Sequence, residues 1–268
     1  MVSFPFCKIN LGLRVVSKRS DGFHDIATCF YPIPWHDVLE IIPSESFSFT
    51  HSGIPIPADV GGNLCVRAYN KLKEKYDLPP VKMHLHKIIP MGAGLGGGSA
   101  DAAFTLKSLN TLFSLELSKN ELSKIAAELG SDCTFFLHDE AMMGSGRGEE
   151  LSPIKVSLKG KFIVLVKPAI HVATADAYKG VTPDGSRASF KDILLVDAKS
   201  WKNTLVNDFE KSVFTQYPEI EKLKIALYDA GAFYASMSGS GSSVYGLFDN
   251  PISLKDQFKG MIYWSGNL

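Results

Sequence analysis

The 268-residue sequence lacks several features that would place it in a specialised class of protein. It contains no apolar run near the ~20 residues of a membrane span, and the longest candidate is Phe162–Val166. It has no excess charge, because 28 Lys and Arg residues balance 28 Asp and Glu residues. These absences argue against membrane and nucleic acid partners. The first ten residues include Lys8 and no apolar stretch of the signal-peptide type, so we expect a cytoplasmic protein.

Cysteine is also scarce, and the four cysteines never occur in the C-x-x-C spacing of zinc and redox sites. We therefore expect Cys7, Cys29, Cys65 and Cys133 to be reduced, buried thiols. Two of the seven histidines, His84 and His86, alternate along an expected strand and share one face. An exposed sheet face explains this pair more simply than a metal site does, and no residue is assigned to a metal.

What the sequence does contain is an alternation of strand and helix patterns, which predicts an α+β or α/β fold. Strands are predicted at Lys8–Ser17, Val38–Ile42, Phe47–Thr50, Val81–Ile88 and Phe162–Lys167. Helices are predicted after Asn63, after the glycine-rich segment 92–98, after the capping box Ser118–Glu121, and from Pro218 to Gly231. A strand–loop–strand, AFYASM-SGSGS-SVYGLF, follows the last helix. The chain restarts with a continuous apolar strand at Phe162, so we place a domain boundary near residues 150–160.

The most informative segment is GAGLGGG, residues 92–98, which holds five glycines between a strand and a helix. Such a loop lets backbone N–H groups turn toward a ligand without obstruction by Cβ atoms. The helix start that follows favours an anion through its unpaired N–H groups and its dipole. Ser99 stands where its hydroxyl can cap that helix or touch a phosphate. The segment therefore predicts phosphate binding, and a hinge or a close-packed turn is the alternative.

Two familiar phosphate motifs do not fit this segment. The Walker A loop requires a Lys before its Ser or Thr, and no Lys precedes Ser99. The dinucleotide fingerprint can be threaded through Gly92, Gly94 and Gly97, but it belongs near a first strand and here follows residue 90. That match on its own is weak.

The segment resembles the phosphate loop of the GHMP kinases (galacto-, homoserine, mevalonate and phosphomevalonate kinases), whose pattern is roughly P-x-x-x-G-L-G-x-S-S/A-A. Two further stretches agree with this family in the expected order. Near the N-terminus, CKINLGLRVVSKRSDGFHDI is similar to A-K-I-N-L-x-L-x-V-x-x-K-R-x-D-G-Y-H, the substrate-side motif of one member. Near the C-terminus, ASMSGSGSSVYGLF resembles the third family motif, a glycine-rich loop that approaches the phosphate loop. The resemblance extends from Lys8 to about Phe248.

The resemblance implies an α+β, two-domain GHMP-kinase fold with the active site in the interdomain cleft. Residues 1–152 would form the N-terminal ATP-binding domain, and residues 153–268 the C-terminal domain that contributes to substrate binding. The implied cofactors are ATP and Mg²⁺. The implied ATP-binding residues form one stretch: Pro90, Met91, Gly92, Ala93, Gly94, Leu95, Gly96, Gly97, Gly98, Ser99 and Ala100. The family usually has Ser-Ser where this chain has Ser99-Ala100.

The resemblance also implies a catalytic pair, Lys8 in CKIN and Asp132 in GSDCTFF. The chemistry suits phosphoryl transfer, because a carboxylate can accept the proton of the substrate hydroxyl. A nearby ammonium then stabilises the negative charge that develops on the oxygen. Without the resemblance, Lys8 would be interpreted as a solvated strand residue and Asp132 as an ordinary turn residue.

The member with the similar N-terminal motif acts on a small molecule that carries a cytidine diphosphate group. Its aromatic–His pair recognises cytosine, and here the matching residues are Phe23 and His24. Tyr178 aligns with a second aromatic residue that closes the clamp on the base. Asn10 would orient Lys8 or the substrate, and Asn63 matches an Asn at the same helix start, where an N-cap role suffices to explain it.

Three alternatives stay open at this point. Another GHMP kinase, of the homoserine or mevalonate type, would have no cytosine for Phe23 and His24 to bind. A non-catalytic nucleotide-binding regulator on the same fold should have lost Lys8 or Asp132, and both are present. A dinucleotide-dependent oxidoreductase is the weakest alternative. The sequence does not predict the oligomeric state or the ligands of Mg²⁺.

Overall fold

A computed structural model of the chain describes residues 1–56, 61–187 and 189–268. These residues form mixed helix and sheet, which confirms the predicted α+β class. They divide into two compact units that interleave along the sequence. The first unit comprises residues 1–7, 35–91 and 96–139, and the second comprises residues 8–34, 92–95 and 140–268. The sequence-based boundary between residues 152 and 153 stays a prediction.

The described part of the chain contains twelve strands and seven α-helices. The strands are β1 (Val2–Ser3), β2 (Phe6–Lys18), β3 (His24–His36), β4 (Val38–Pro43), β5 (Ser48–Gly53), β6 (Val81–Lys87), β7 (Met142–Ser145), β8 (Glu150–Pro153), β9 (Phe162–Lys167), β10 (Tyr234–Met237), β11 (Val244–Phe248) and β12 (Ile262–Asn267). The helices are α1 (Leu64–Tyr76), α2 (Gly97–Leu112), α3 (Lys119–Leu129), α4 (Thr174–Lys179), α5 (Phe190–Leu194), α6 (Phe209–Gln216) and α7 (Pro218–Asp229). Short 3₁₀ helices cover Phe135–Leu137 and Ala198–Asn203.

The first unit is built on a four-stranded sheet in the order β1-β4-β6-β5. Strands β5 and β6 are parallel, and the other two pairs are antiparallel. Alternate side chains of β6 are buried, and Val81, Met83 and Leu85 supply apolar groups to the core. Helix α2 packs against α1 and α3. The chain thus runs from the buried end of β6 at Lys87 through a short connecting segment to the start of α2 at Gly97.

The second unit contains two antiparallel sheets. One has the order β2-β3-β7-β8, and the other has the order β10-β11-β9-β12. Strand β9 lies inside the second sheet, which explains its continuous apolar sequence. Helices α6 and α7 pack together, and α7 also packs against β10 and β11. Their shared core includes Val164, Phe209 and Leu227.

The predicted helix signals are confirmed at three helix starts. The Asn63 side chain accepts a hydrogen bond of 2.9 Å from the backbone N–H of Cys65, so Asn63 caps α1. Ser118 and Glu121 form the predicted reciprocal capping box of α3. Pro218 is the first residue of α7. Local sequence chemistry therefore determines where these helices begin.

The helix after the glycine-rich segment corrects one expectation. Helix α2 begins at Gly97 with Gly96 as its N-cap, and no side chain caps it. Ser99 is therefore the third residue of the helix, and its hydroxyl does not cap it, so of the two roles predicted for this hydroxyl only the phosphate contact stays a prediction. The glycine at the cap has a positive φ of 71°, a conformation that a residue with a Cβ atom rarely adopts.

The histidine and cysteine expectations are confirmed where the structure describes them. His84 and His86 share one face of β6 and lie beside Ser52, whose hydroxyl is 2.9 Å from a ring nitrogen of each. All four cysteines are buried free thiols. Among the described residues, no helix is both long enough and apolar enough to cross a membrane.

Candidate active site

Lys8 is buried at the centre of a hydrogen-bond cluster in the second unit. Its ammonium group donates to Oδ1 of Asn10 at 2.6 Å and to the carbonyl oxygen of Gly94 at 2.9 Å. Asn10 is fixed in turn, because its Nδ2 donates to the Thr28 hydroxyl at 2.9 Å. The predicted contact between Asn10 and Lys8 is thus present. Both residues come from β2, two positions apart, so their side chains lie on the same face of the strand.

The two glycine-rich loops of the sequence meet at Gly94, as the family resemblance implied. The Ser238 hydroxyl donates to the carbonyl oxygen of Gly94 at 2.8 Å. A Cβ atom at Gly94 would overlap the carbonyl oxygen of Ser238, and Gly94 has a positive φ of 74°. Only glycine meets both conditions. The loop after β10 therefore closes directly onto the residue that also accepts from Lys8.

The helix start in the first unit has the features of an anion site. Helix α2 is 16 residues long, and its first turn contains no acidic side chain. The N–H groups of Gly97, Gly98 and Ser99 belong to this first turn, where an α-helix offers unpaired donors and the positive end of its dipole. The position of Gly97 also leaves no room for a side chain. A Cβ atom there would lie 2.9 Å from both Nζ of Lys87 and a methyl carbon of Ile89.

Asp132 lies in a turn that follows the end of α3, as predicted, and its side chain is half-buried. The turn packs beside the start of α2. An ideal Cβ atom on Gly130 would lie 3.4 Å from the Cys133 sulfur and 4.0 Å from the Ser99 hydroxyl oxygen. Burial raises the pKa of Cys133 to about 11, although a hydrogen bond with Ser99 opposes that rise. The thiol therefore stays neutral, and the Asp132 turn adjoins the predicted phosphate-binding residues.

The aromatic residues predicted to bind a base gather in the second unit. The rings of His24 and Tyr178 stack with centroids 4.6 Å apart and an angle of 16° between their planes. Tyr178 also meets Phe209 edge-on at 4.7 Å, which fixes its orientation. Phe23 is 54% exposed, and the Arg147 guanidinium lies 5.1 Å from its ring centroid. Tyr178 therefore lies against His24, and Phe23 immediately precedes His24 in the sequence.

Sequence reasoning missed an ionic cluster in the first unit. Nζ of Lys87 donates to Oδ2 of Asp37 and, at 2.7 Å, to Oδ2 of Asp101, and all three side chains are buried. Burial acts to lower the pKa of Lys87, but the two carboxylates raise it above its ordinary value overall. A signal was available in the period-two pattern of β6, because Lys87 occupies an inward position two residues after Leu85. A lysine in that register requires buried partners.

The described residues contain no group of three or more His, Cys, Asp or Glu side chains that could hold a metal ion. Magnesium usually binds through one or two carboxylates together with the phosphates of a substrate. Gly94 and Gly97 are positions where a Cβ atom would overlap other protein atoms, so the close packing of the loop requires glycine at both.

Comparisons with known proteins agree with this geometry. The family model for the N-terminal domain of GHMP kinases matches residues 63–140, and the model for their C-terminal domain matches residues 185–259. The chain is 55% identical over 250 residues to a 4-diphosphocytidyl-2-C-methyl-D-erythritol kinase from Cytophaga hutchinsonii, covering 93% of each chain. It is 49% identical to the kinase of the same name from Parabacteroides distasonis, covering 100% of both chains.

Solved structures show the same similarity in three dimensions. A crystal structure of 4-(cytidine 5'-diphospho)-2C-methyl-D-erythritol kinase superposes with a TM-score of 0.84 at 30% identity, covering 99% of this chain and 98% of the other. A homoserine kinase from Cytophaga hutchinsonii superposes with a TM-score of 0.71 at 17% identity, covering 98% of this chain and 94% of the other. The second similarity concerns the fold alone.

Proposed function

Because the chain belongs to the GHMP kinase family, we propose that it phosphorylates 4-diphosphocytidyl-2-C-methyl-D-erythritol. In this reaction the γ-phosphate of ATP is transferred to the 2-hydroxyl of that substrate, a step of non-mevalonate isoprenoid precursor biosynthesis. The observation that carries the proposal is the full-length similarity to kinases of that name. The aromatic group of Phe23, His24 and Tyr178 adds chemistry suited to the cytosine ring. A cytoplasmic location stays a prediction.

The first part of the proposal concerns ATP. The stretch Pro90–Ala100 would surround the phosphates, with the N–H groups at the start of α2 directed toward them. A helix start without acidic residues favours such a polyanion. Mg²⁺ would be held mainly by phosphate oxygens, and it would neutralise part of their charge. Ser99 would contribute one hydroxyl, where the family pattern usually offers two.

The second part concerns proton and phosphoryl transfer. The carboxylate of Asp132 would accept the proton of the substrate hydroxyl as its oxygen bonds to the γ-phosphorus of ATP. The bond from that phosphorus to the β–γ bridging oxygen breaks, and ADP leaves. Lys8 would stabilise the negative charge on the reacting oxygens. The oxygens of Asn10 and Gly94 hold its ammonium group in one orientation.

The third part concerns the substrate base. Phe23 exposes enough of its ring to stack on cytosine, and a ring nitrogen of His24 can hydrogen-bond the edge of the base. Tyr178 lies parallel to His24, so it either contributes a second aromatic face or fixes the imidazole ring. Replacement of Tyr by Phe23 in the D-G-Y-H motif keeps the stacking surface and removes one hydroxyl.

A direct assay tests this proposal. The purified protein is incubated with ATP, Mg²⁺ and 4-diphosphocytidyl-2-C-methyl-D-erythritol, and ADP release is measured. Homoserine, mevalonate and galactose serve as controls for the other kinase types of the family. We expect ADP release that depends on the cytidine-containing substrate. Release with any of the control substrates alone would assign the chain to another GHMP kinase, and ATP binding without release would favour a regulator.

A further inference from the structure

The buried cluster of Asp37, Lys87 and Asp101 lies directly beneath the start of α2. Lys87 Nζ would be only 2.9 Å from a Cβ atom on Gly97, the first residue of the helix. Asp101 is the fifth residue of the same helix, and its Oδ2 accepts from Lys87 at 2.7 Å. The cluster therefore lies one helical turn from the N–H groups that we assign to the phosphates of ATP.

The charges of this cluster do not balance when both carboxylates are ionised. One ammonium group faces two carboxylates, and the three side chains are almost completely buried. A buried net negative charge next to an anion site opposes the binding of a polyanion. The cluster becomes neutral if one of the two carboxyl groups carries a proton.

The hydrogen bonds indicate which carboxyl group that is. Asp37 accepts from Lys87 through Oδ2, and its Oδ1 accepts from the backbone N–H groups of Ile88 and Ile89. A carboxylate with that many donors is stable in its ionised form. In contrast, Oδ1 of Asp101 is buried and makes no hydrogen bond to any described residue. An ionised oxygen in such a place is costly, so Asp101 is the group that accepts a proton more easily.

We propose that Asp101 takes up a proton from solvent when a nucleotide binds, so that the cluster is neutral beneath the phosphates. This inference rests on the proposed function, because it needs ATP at the start of α2. The proton adds to the carboxylate of Asp101, and no other bond changes. The phosphates favour this protonation because a like charge nearby disfavours the ionised form of a carboxyl group.

The titration range supports this assignment. Burial raises the pKa of Asp101 to about 7, although the charge of Lys87 opposes the rise. Asp101 is thus partly ionised near neutral pH before the nucleotide arrives. The binding affinity for ATP should therefore fall as pH rises through about 7, because deprotonation of Asp101 restores the negative charge.

The other groups around Asp101 do not titrate in the same range. From α1, burial raises the pKa of the Cys65 thiol well above its ordinary value, so the thiol stays neutral. From α2, Thr105 donates its hydroxyl to the backbone oxygen of Asp101 at 2.8 Å and carries no charge. Lys87 remains charged because its pKa is raised. His36, next to Asp37 in sequence, has its pKa lowered by burial and is neutral near pH 7.

Isothermal titration calorimetry with ATP and Mg²⁺ tests the inference on the whole protein. Titrations in buffers of different ionisation enthalpy count the protons that are taken up on binding. We compare the wild type with Asp101→Asn, which keeps an acceptor for Lys87 but does not titrate. Glu128→Gln is the control, because this exposed carboxylate of α3 pairs with Lys71 outside the cluster. ATP itself also exchanges protons on binding, and this contribution cancels when the proton uptake of one protein is subtracted from that of another.

We expect the wild type and Glu128→Gln to take up about half a proton more than Asp101→Asn near pH 7.5. We also expect their affinity to fall about fivefold more than that of Asp101→Asn between about pH 6 and about pH 8. Equal proton uptake in all three proteins, with ATP bound, overturns this inference and leaves the proposed function intact. If Asp101→Asn does not fold, proton uptake by the wild type is measured over a range of pH. Uptake that does not change with pH would contradict the inference, because a carboxyl group that titrates near neutral pH must take up a pH-dependent number of protons. Absence of ATP binding overturns both proposals.

Discussion

Two buried lysines, Lys8 and Lys87, are held in different ways. In the first unit, Lys87 contacts two buried carboxylates, so its charge is neutralised where it lies. In the second unit, Lys8 donates to an amide oxygen and a backbone carbonyl oxygen, which orient its ammonium group. Lys87 therefore joins buried side chains of the first unit, and Lys8 is the lysine that we propose for chemistry.

The same contrast applies to other side chains of the candidate site. Phe23 and Asp132 are at least partly exposed, and we assign them to the ligands. Asn63 and Asp37 bond backbone N–H groups, and we assign them to the structure. Substitutions in the first group should change kinetics more than stability, and substitutions in the second group should do the reverse. Four predictions test this separation, from the largest expected effect to the smallest.

The largest effect is expected for Lys8→Met and Asp132→Asn. Each should lower kcat by ~10²–10⁴ with little change in ground-state binding, because each removes a group that acts on the reacting atoms. The double variant should lose less than the product of the two losses, since the pair acts as a unit. Rates are measured at saturating substrate. An Asp132→Asn enzyme that keeps more than about a tenth of the wild-type kcat would contradict the general-base assignment.

Lys87→Met should lower the free energy of unfolding by ~3–5 kcal/mol, because it leaves two carboxylates buried without a cation. Denaturant titration measures this loss. Lys71→Met is the matched control, since its ion pair with Glu128 is exposed and should contribute at most ~1 kcal/mol. The folded fraction of Lys87→Met should retain far more of its kcat than Lys8→Met does. If Lys87→Met and Lys71→Met lowered the free energy of unfolding equally, the proposed structural role of Lys87 would be wrong.

Phe23→Ala should weaken binding of the cytidine-containing substrate by about one to two orders of magnitude, since stacking of a base on an aromatic ring contributes ~1–3 kcal/mol. The KM for ATP and the thermal midpoint should hardly change. Phe4→Ala is the control, because Phe4 is 57% exposed and is assigned to no ligand. Equal turnover of substrates with and without the cytidine group would exclude the aromatic recognition.

The smallest effect is expected for the two N-caps. Asn63→Ala and Ser118→Ala should each lower the free energy of unfolding by ~1 kcal/mol, because each leaves helix N–H groups without a partner. Neither should alter the KM for ATP. Ser118→Ala serves as the control for Asn63→Ala, because Ser118 caps α3 and Asn63 caps α1. A raised KM in Asn63→Ala alone would show that this side chain meets the nucleotide as well as the helix.

The sequence predicted the elements whose chemistry is local. The cap of α1, the capping box of α3 and the apolar strand β9 all follow from a few adjacent residues. Strand β3 was missed because Pro32 and Pro34 interrupt its pattern, and both lie within its observed bounds. Strand β12 was missed because most of its side chains are only partly buried and give no alternation.

The candidate site was predicted unevenly for a similar reason. Its motif residues could be matched to the GHMP kinase family, and the comparisons confirm that family. Their individual roles stay predictions. The cluster of Asp37, Lys87 and Asp101 was not predicted, because its members come from three distant segments that meet only when the first unit folds. An inward-facing lysine indicates that a partner exists, but not which residue supplies it.

The interleaving of the two units has a consequence for how the protein is made. Every residue of the first unit has been synthesised once the ribosome reaches residue 139, but the second unit needs strand β12 near residue 267. At ~5–20 residues per second, this gap lasts on the order of 10 s. During that time β2 is without Val206 and Asp208, which later bond the backbone of Leu13. The nascent chain therefore exposes an unsatisfied strand edge after the first unit has been synthesised, and such an edge is the kind of surface that chaperones cover during translation.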